Sequence, residues 1–125
     1  MSFIDDRSAP LIVTATAAVN TASTATIPLG AGNFHYIVLV ELVKLYSVVG
    51  VAAAGGVIIT STNLPGTPAW TTEQAVIAAG NAPKVIQWQP GIPIKSLAAG
   101  VNTTFVAPQQ LQTIWRWNIV YYVGA

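Results

Sequence analysis

Hydrophobic and polar positions alternate along much of the chain. From 84 to 89, Val85 and Gln87 fall on one face, Ile86 and Trp88 on the other. From 113 to 123, Trp115, Trp117, Ile119, Tyr121 and Val123 share a face, opposite Ile114, Arg116, Asn118, Val120 and Tyr122. A period of two belongs to β-strands, whose successive side chains point to opposite sides. Further strands are predicted over 11–19, 22–27, 34–46, 57–62, 92–97 and 103–107. Between them lie clusters of Gly, Pro and Asn, the residues that tight turns demand. The strongest turn is Asn63-Leu64-Pro65-Gly66. Pro presets φ at the first central position, and Gly accepts the positive φ of the second. Residues 72–79 read equally as one or two helical turns or as a short strand. The pattern predicts an all-β fold, a jelly-roll-like antiparallel β-sandwich of about eight strands. Residues 1–10, ending at Pro10, read as a flexible N-terminal arm, and 11–125 as one β-sandwich domain.

One run departs from clean alternation. Residues 37–59, IVLVELVKLYSVVGVAAAGGVII, have only Glu41 and Lys44 as charges and are long enough for a bilayer-spanning helix. Two charges in hydrocarbon, a break at Gly50 to Gly56 and the abundance of Val and Ile favour two strands instead. As a strand, 35–46 puts His35, Ile37, Leu39, Glu41, Val43 and Leu45 on one face. Tyr36, Val38, Val40, Leu42, Lys44 and Tyr46 occupy the other. Both faces are mostly apolar, whereas a half-solvated strand is polar on one side. A second copy of the chain is the simplest cover for the second face.

Composition sharpens that expectation. Charged residues are 7% of the 125 and apolar residues 53%, against about 25% charged in an average soluble domain. A folded monomer of this size exposes roughly 6,300 Å², leaving about one charge per 700 Å². The five basic residues, Arg7, Lys44, Lys84, Lys95 and Arg116, are scattered, so no basic patch supports nucleic-acid binding. Cysteine is absent, which removes disulfides and thiol chemistry. The start, MSFIDDRSAP, is acidic before it is apolar, the reverse of a secretory signal.

Candidate chemistry is sparse. His35 is the single histidine, too few for a zinc site without cysteines. No G-x-S-x-G elbow, nucleotide-binding glycine pattern or evident acid pair occurs. No enzyme activity and no cofactor is expected. Trp70, Trp88, Trp115 and Trp117 suit either sugar stacking or core and subunit contacts, and the low charge favours the latter.

The segments S-T-N-L-P-G and P-I-K-S…T-F-V-A-P, the apolar strand FHYIVLVELVKLY and the closing IWRWNIVYYV resemble jelly-roll head decoration, or cement, proteins of tailed bacteriophages. The resemblance implies a virion structural protein: a homo-oligomer, a trimer by analogy, made in the host cytoplasm. It would bind the phage major capsid protein on the outer capsid surface, with no membrane or nucleic-acid partner. Expected subunit contacts are Tyr36, Val38, Val40 and Leu42, or the opposite face of that strand, then Trp115, Trp117 and Tyr121. The expected capsid contact is the arm, at Phe3, Ile4, Asp5, Asp6 and Arg7. The alternative is a phage tail or fibre module that binds host glycans through exposed Trp.

Overall fold

The computed structural model describes residues 10–28, 32–46, 57–72, 84–110 and 113–125. These form nine strands: β1 (Leu11–Thr16), β2 (Ser23–Ile27), β3 (Phe34–Tyr46), β4 (Val57–Ser61), β5 (Trp70–Thr72), β6 (Lys84–Trp88), β7 (Ile94–Lys95), β8 (Thr103–Ala107) and β9 (Thr113–Gly124). No helix occurs among the described residues. The strands build two antiparallel sheets. One has the order β1-β9-β3-β6, with β7 also on β3, and the other β2-β8-β4-β5. Setting aside the two-residue β7, eight strands divide four and four in the interleaved order of a jelly roll.

The run that raised the membrane question enters the sandwich as β3 and β4. No helix among the described residues is long and apolar enough to cross a bilayer. The strand not foreseen is β5, three residues paired with Val57 to Ile59 of β4. Most of 72–79 lies outside the described residues, as does the arm through Ala9. The Leu64 carbonyl accepts the Thr67 amide at 3.0 Å, and Gly66 has φ 72°. The Pro-Gly turn therefore forms as its residue types require.

The core lies between the sheets. The long pair β3–β9 supplies Ile37, Val40, Leu42, Trp115, Trp117 and Ile119, while β2, β4 and β8 supply Ala25, Ile27, Val57, Ile59, Phe105 and Ala107. The Trp117 ring is 5.8 Å from Phe105, centroid to centroid, and its Nε1 donates to the Ser23 carbonyl at 3.1 Å. One side chain thus packs against one strand of the facing sheet and hydrogen-bonds another. Trp115 donates to the Pro108 carbonyl at 3.0 Å. Buried indoles need such partners, because an unmade bond in the interior costs about 1–3 kcal/mol.

A bulge in β3 changes which residues reach this core. The β3–β9 register shifts between Ile37 and Leu39, so Val38 is the extra residue of a β-bulge. Before it, His35 and Ile37 point inward. After it, the inward set is Val40, Leu42 and Lys44, all buried. The strict alternation expected from the sequence therefore fails at Val38. The outward set becomes Tyr36, then Leu39, Glu41, Val43 and Leu45.

Candidate functional site

The bulge corrects the expected subunit contacts. Val40 and Leu42 are 4% and 2% exposed, packed in the chain's own core. Trp115, Trp117 and Tyr121 are buried there too, on the inward face of β9. Side chains enclosed in this way have no surface to offer a neighbour. Of the residues proposed, Tyr36 and Val38 remain partly exposed. Tyr36 donates its hydroxyl to the Ala125 carbonyl at 2.6 Å. Phe3, Ile4, Asp5, Asp6 and Arg7 lie outside the described residues.

What faces outward on this sheet is a set of cross-strand rungs. Register aligns Ile12 with Val120 and Val120 with Leu39. The next rung is Thr14, Asn118, Glu41 and Gln87, and the one beyond is Thr16, Arg116, Val43 and Val85. Leu39, Val43, Leu45, Ile114 and Val120 are each partly exposed, giving an aliphatic surface with one acid at its centre. Glu41 is held there by two amides. Its Oε1 accepts Asn118 Nδ2 at 3.0 Å and its Oε2 accepts Gln87 Nε2 at 2.9 Å. The carboxylate is thereby held on the outward face between its two cross-strand neighbours. This is a low-charge, largely aliphatic surface.

A second group sits at one end of the sandwich. His35 is 1% exposed. Its Nε2 lies 2.8 Å from the Pro28 carbonyl and its Nδ1 2.8 Å from Thr103 Oγ1. A carbonyl only accepts, so Nε2 carries the proton and neutral Nδ1 accepts from the threonine hydroxyl. Burial lowers the His35 pKa, opposed by the bond to Pro28. Thr103 Oγ1 also accepts Asn63 Nδ2 at 3.1 Å. The same Asn63 amide reaches the carbonyls of Ala98 and Val101, and its Oδ1 accepts the Ala98 amide at 2.9 Å. Asn63 adopts φ 59°, a left-handed conformation that Asn tolerates better than most residues. The turn at Asn63 and the segment from Ala98 to Thr103 are therefore neighbours, with Asn63 as the hub between them. Both His35 ring nitrogens are occupied by structural bonds, and no group of His, Asp or Glu suited to a metal occurs among the described residues.

A third feature is a shallow apolar crevice of about 20 Å³, where Trp70 and Trp88 meet Val40, Leu42, Ile59, Ile86 and Trp117. The Trp70 and Trp88 rings are 4.9 Å apart, tilted at 56°. That space suits one water molecule rather than a sugar ring. Two of the four tryptophans are buried and the other two are half-buried against each other.

Lys44 is the residue that sequence reasoning left unassigned. It is fully buried, with Nζ 5.4 Å from the Trp115 ring centroid. Burial, with a smaller contribution from the Lys84 charge, lowers its pKa from 10.5 to about 8. The signal was available: Glu41 and Lys44 differ in parity, so one of them has to face inward wherever the strand is flanked by sheet.

No family model matches the chain, and comparison with curated proteins and with solved structures found no similar protein. The fold and the surfaces above define the molecule as a β-sandwich with a low-charge outward sheet face.

Proposed function

We propose that this chain is a non-enzymatic structural protein that works by assembly, specifically a decoration or cement protein on the head of a tailed bacteriophage. The observation that carries the reading is the outward face of the β1-β9-β3-β6 sheet. Its aliphatic side chains are partly exposed, and its one acid is already bonded to Asn118 and Gln87. Covering such a face gains about 25 cal/mol per Å² of apolar area, and Arg116, exposed on the same face, then needs an acidic partner or continued access to water. A standard interface removes about 800 Å² from each partner. Much of the gain is offset by lost freedom on association, so repetition over many capsid sites supplies the occupancy.

The capsid and the phage enter through the resemblance in the segments around Asn63 and Thr103. The partner is then the major capsid protein, and homo-oligomerisation presents several faces at once. The test uses virions of the phage whose genome encodes the chain. Mass spectrometry is expected to find the protein in them at near-capsid stoichiometry. Purified protein is expected to co-sediment with stripped heads and to raise their resistance to heat. Absence from the virion, or no binding to heads, overturns the reading. Sugar binding lost in Trp70→Ala or Trp88→Ala would favour the tail-module alternative.

A further inference from the structure

We propose that strand β1 is a docking edge for β1 of a second copy, paired antiparallel about a twofold axis at Thr14. The two chains then share one continuous sheet. This contact is independent of any capsid and is separate from the outward face discussed above.

Hydrogen-bond parity decides which backbone groups of β1 face outward. The Ala17 amide donates to the Trp115 carbonyl at 3.2 Å, and the same register places Ala15 opposite Trp117, Val13 opposite Ile119 and Leu11 opposite Tyr121. Directly opposed residues in an antiparallel pair alternate between bonded and non-bonded. The odd residues therefore spend their amides and carbonyls on β9. Those of Ile12, Thr14 and Thr16 point away from the sheet, and β1 is the last strand in its order. Only an extended strand offers donors and acceptors at that spacing.

Exposed edges are usually blunted by charge, proline or a bulge. The opposite flank of this sheet has such devices: Lys84, Lys95, Pro90 and Pro93 accompany β6 and β7. Along β1 the only such residue is Pro10, directly before its first position, and no Asp, Glu, Lys or Arg occurs from Ser8 to Val40. Leu11 and Ile12 are 42% and 67% exposed. Of the charge-free edges of the other sheet, β2 turns only Thr24 and Thr26 outward and β5 is three residues long, so adding a strand at either covers little apolar area.

A second copy fits this edge in a self-complementary register. With Thr14 opposite the partner's Thr14, Ile12 falls opposite Thr16 on both sides of the axis, and about six backbone bonds close. The polar rung Gln87–Glu41–Asn118–Thr14 then runs on into its own mirror order in the second chain. The two Glu41 carboxylates end about 24 Å apart at normal strand spacing, beyond the screening length of about 10 Å, so like charges do not oppose the pairing.

The test follows association and amide exchange of the full chain from low micromolar to near-millimolar concentration. A concentration-dependent doubling of mass is expected. The amides of Ile12, Thr14 and Thr16 gain protection with concentration, while those of Leu11, Val13 and Ala15 are protected throughout. Thr14→Lys sets two cations across the axis, and Thr14→Pro removes an outward amide that β9 does not use. Each is expected to weaken association about 10- to 100-fold. Thr24→Lys, the same change on the other sheet, leaves association unaltered. Thermal unfolding checks that the variants fold. A monomer at all concentrations overturns the proposal. So does association, including a trimer, that ignores both Thr14 variants. Protection of the outward amides at every concentration also overturns it, because the chain's own residues would then cover the edge.

Discussion

Replacing Lys44 by Met tests the energetics of the sandwich most directly. The ammonium is buried and its pKa lies at about 8 instead of 10.5, a difference worth about 3 kcal/mol. The Trp115 ring at 5.4 Å offsets part of that cost, by about 0.5–2 kcal/mol, as a cation–π contact. In sign, the unfolded chain holds the proton between pH 8 and 10.5 while the folded chain releases it. The unfolded state binds more protons there, so stability rises with pH across the window. Below pH 8 both states are charged, and the folded state carries the full desolvation cost. Lys44→Met removes the charge while keeping an unbranched chain of similar length, so it is expected to stabilise the protein at pH 7 by about 1–3 kcal/mol. Relative to that variant, the wild type gains about 2–3 kcal/mol between pH 7 and pH 10. Tyr121, whose pKa is raised by burial, loses stability above pH 10 in both proteins and cancels in the comparison. The assay is urea unfolding followed by tryptophan fluorescence at several pH values. Parallel stability curves for the two proteins, or a variant markedly weaker at pH 7, would refute the reasoning.

Two further outcomes follow from the polar end of the sandwich. His35 has a folded pKa below 6.5 because of burial, partly opposed by its bond to Pro28. The unfolded chain therefore takes up the proton first, and stability falls as pH drops through the region below 6.5. His35→Gln is expected to lose that dependence between pH 7 and pH 5 in thermal unfolding, and an unchanged slope would contradict the assignment. Asn63→Ala removes the bonds to Ala98, Val101 and Thr103 and leaves φ at 59°. It is expected to cost about 3 kcal/mol. Asn63→Gly loses the same bonds but relieves the backbone, and should recover about 1 kcal/mol of that in chemical denaturation.

Much of the sandwich was legible because its strands carry a local signal. In β9 the face bearing Trp115, Trp117, Ile119 and Tyr121 is the core face, as alternation required. In β4 the inward positions Val57, Ile59 and Ser61 keep period two. The bulge at Val38 left no such mark, because I-V-L-V reads identically in either parity. That is why Val40 and Leu42 were expected to meet a neighbour, while Leu39, Val43 and Leu45 now hold the outward position. The strand β5 is too short for periodicity and exists through its pairing with β4. Asn63 gave only a turn signal, since the groups it bonds lie from Ala98 to Thr103, far along the chain.

The extra residue at Val38 works as a parity counter. Upstream, Phe34 to Ile37 answers to Tyr121 to Gly124, and downstream, Leu39 to Tyr46 answers to Thr113 to Val120. Two half-strands of opposite phase meet there, and both present apolar side chains to one interior only because the count is odd. Substitutions along β3 alter packing by degrees. Losing Val38 itself would leave a regular strand with Ile37, Val40 and Leu42 still facing inward, whereas a residue gained elsewhere without a second bulge would turn part of the strand inside out. The position of the extra residue, more than its identity, is what keeps the two halves aligned with β9.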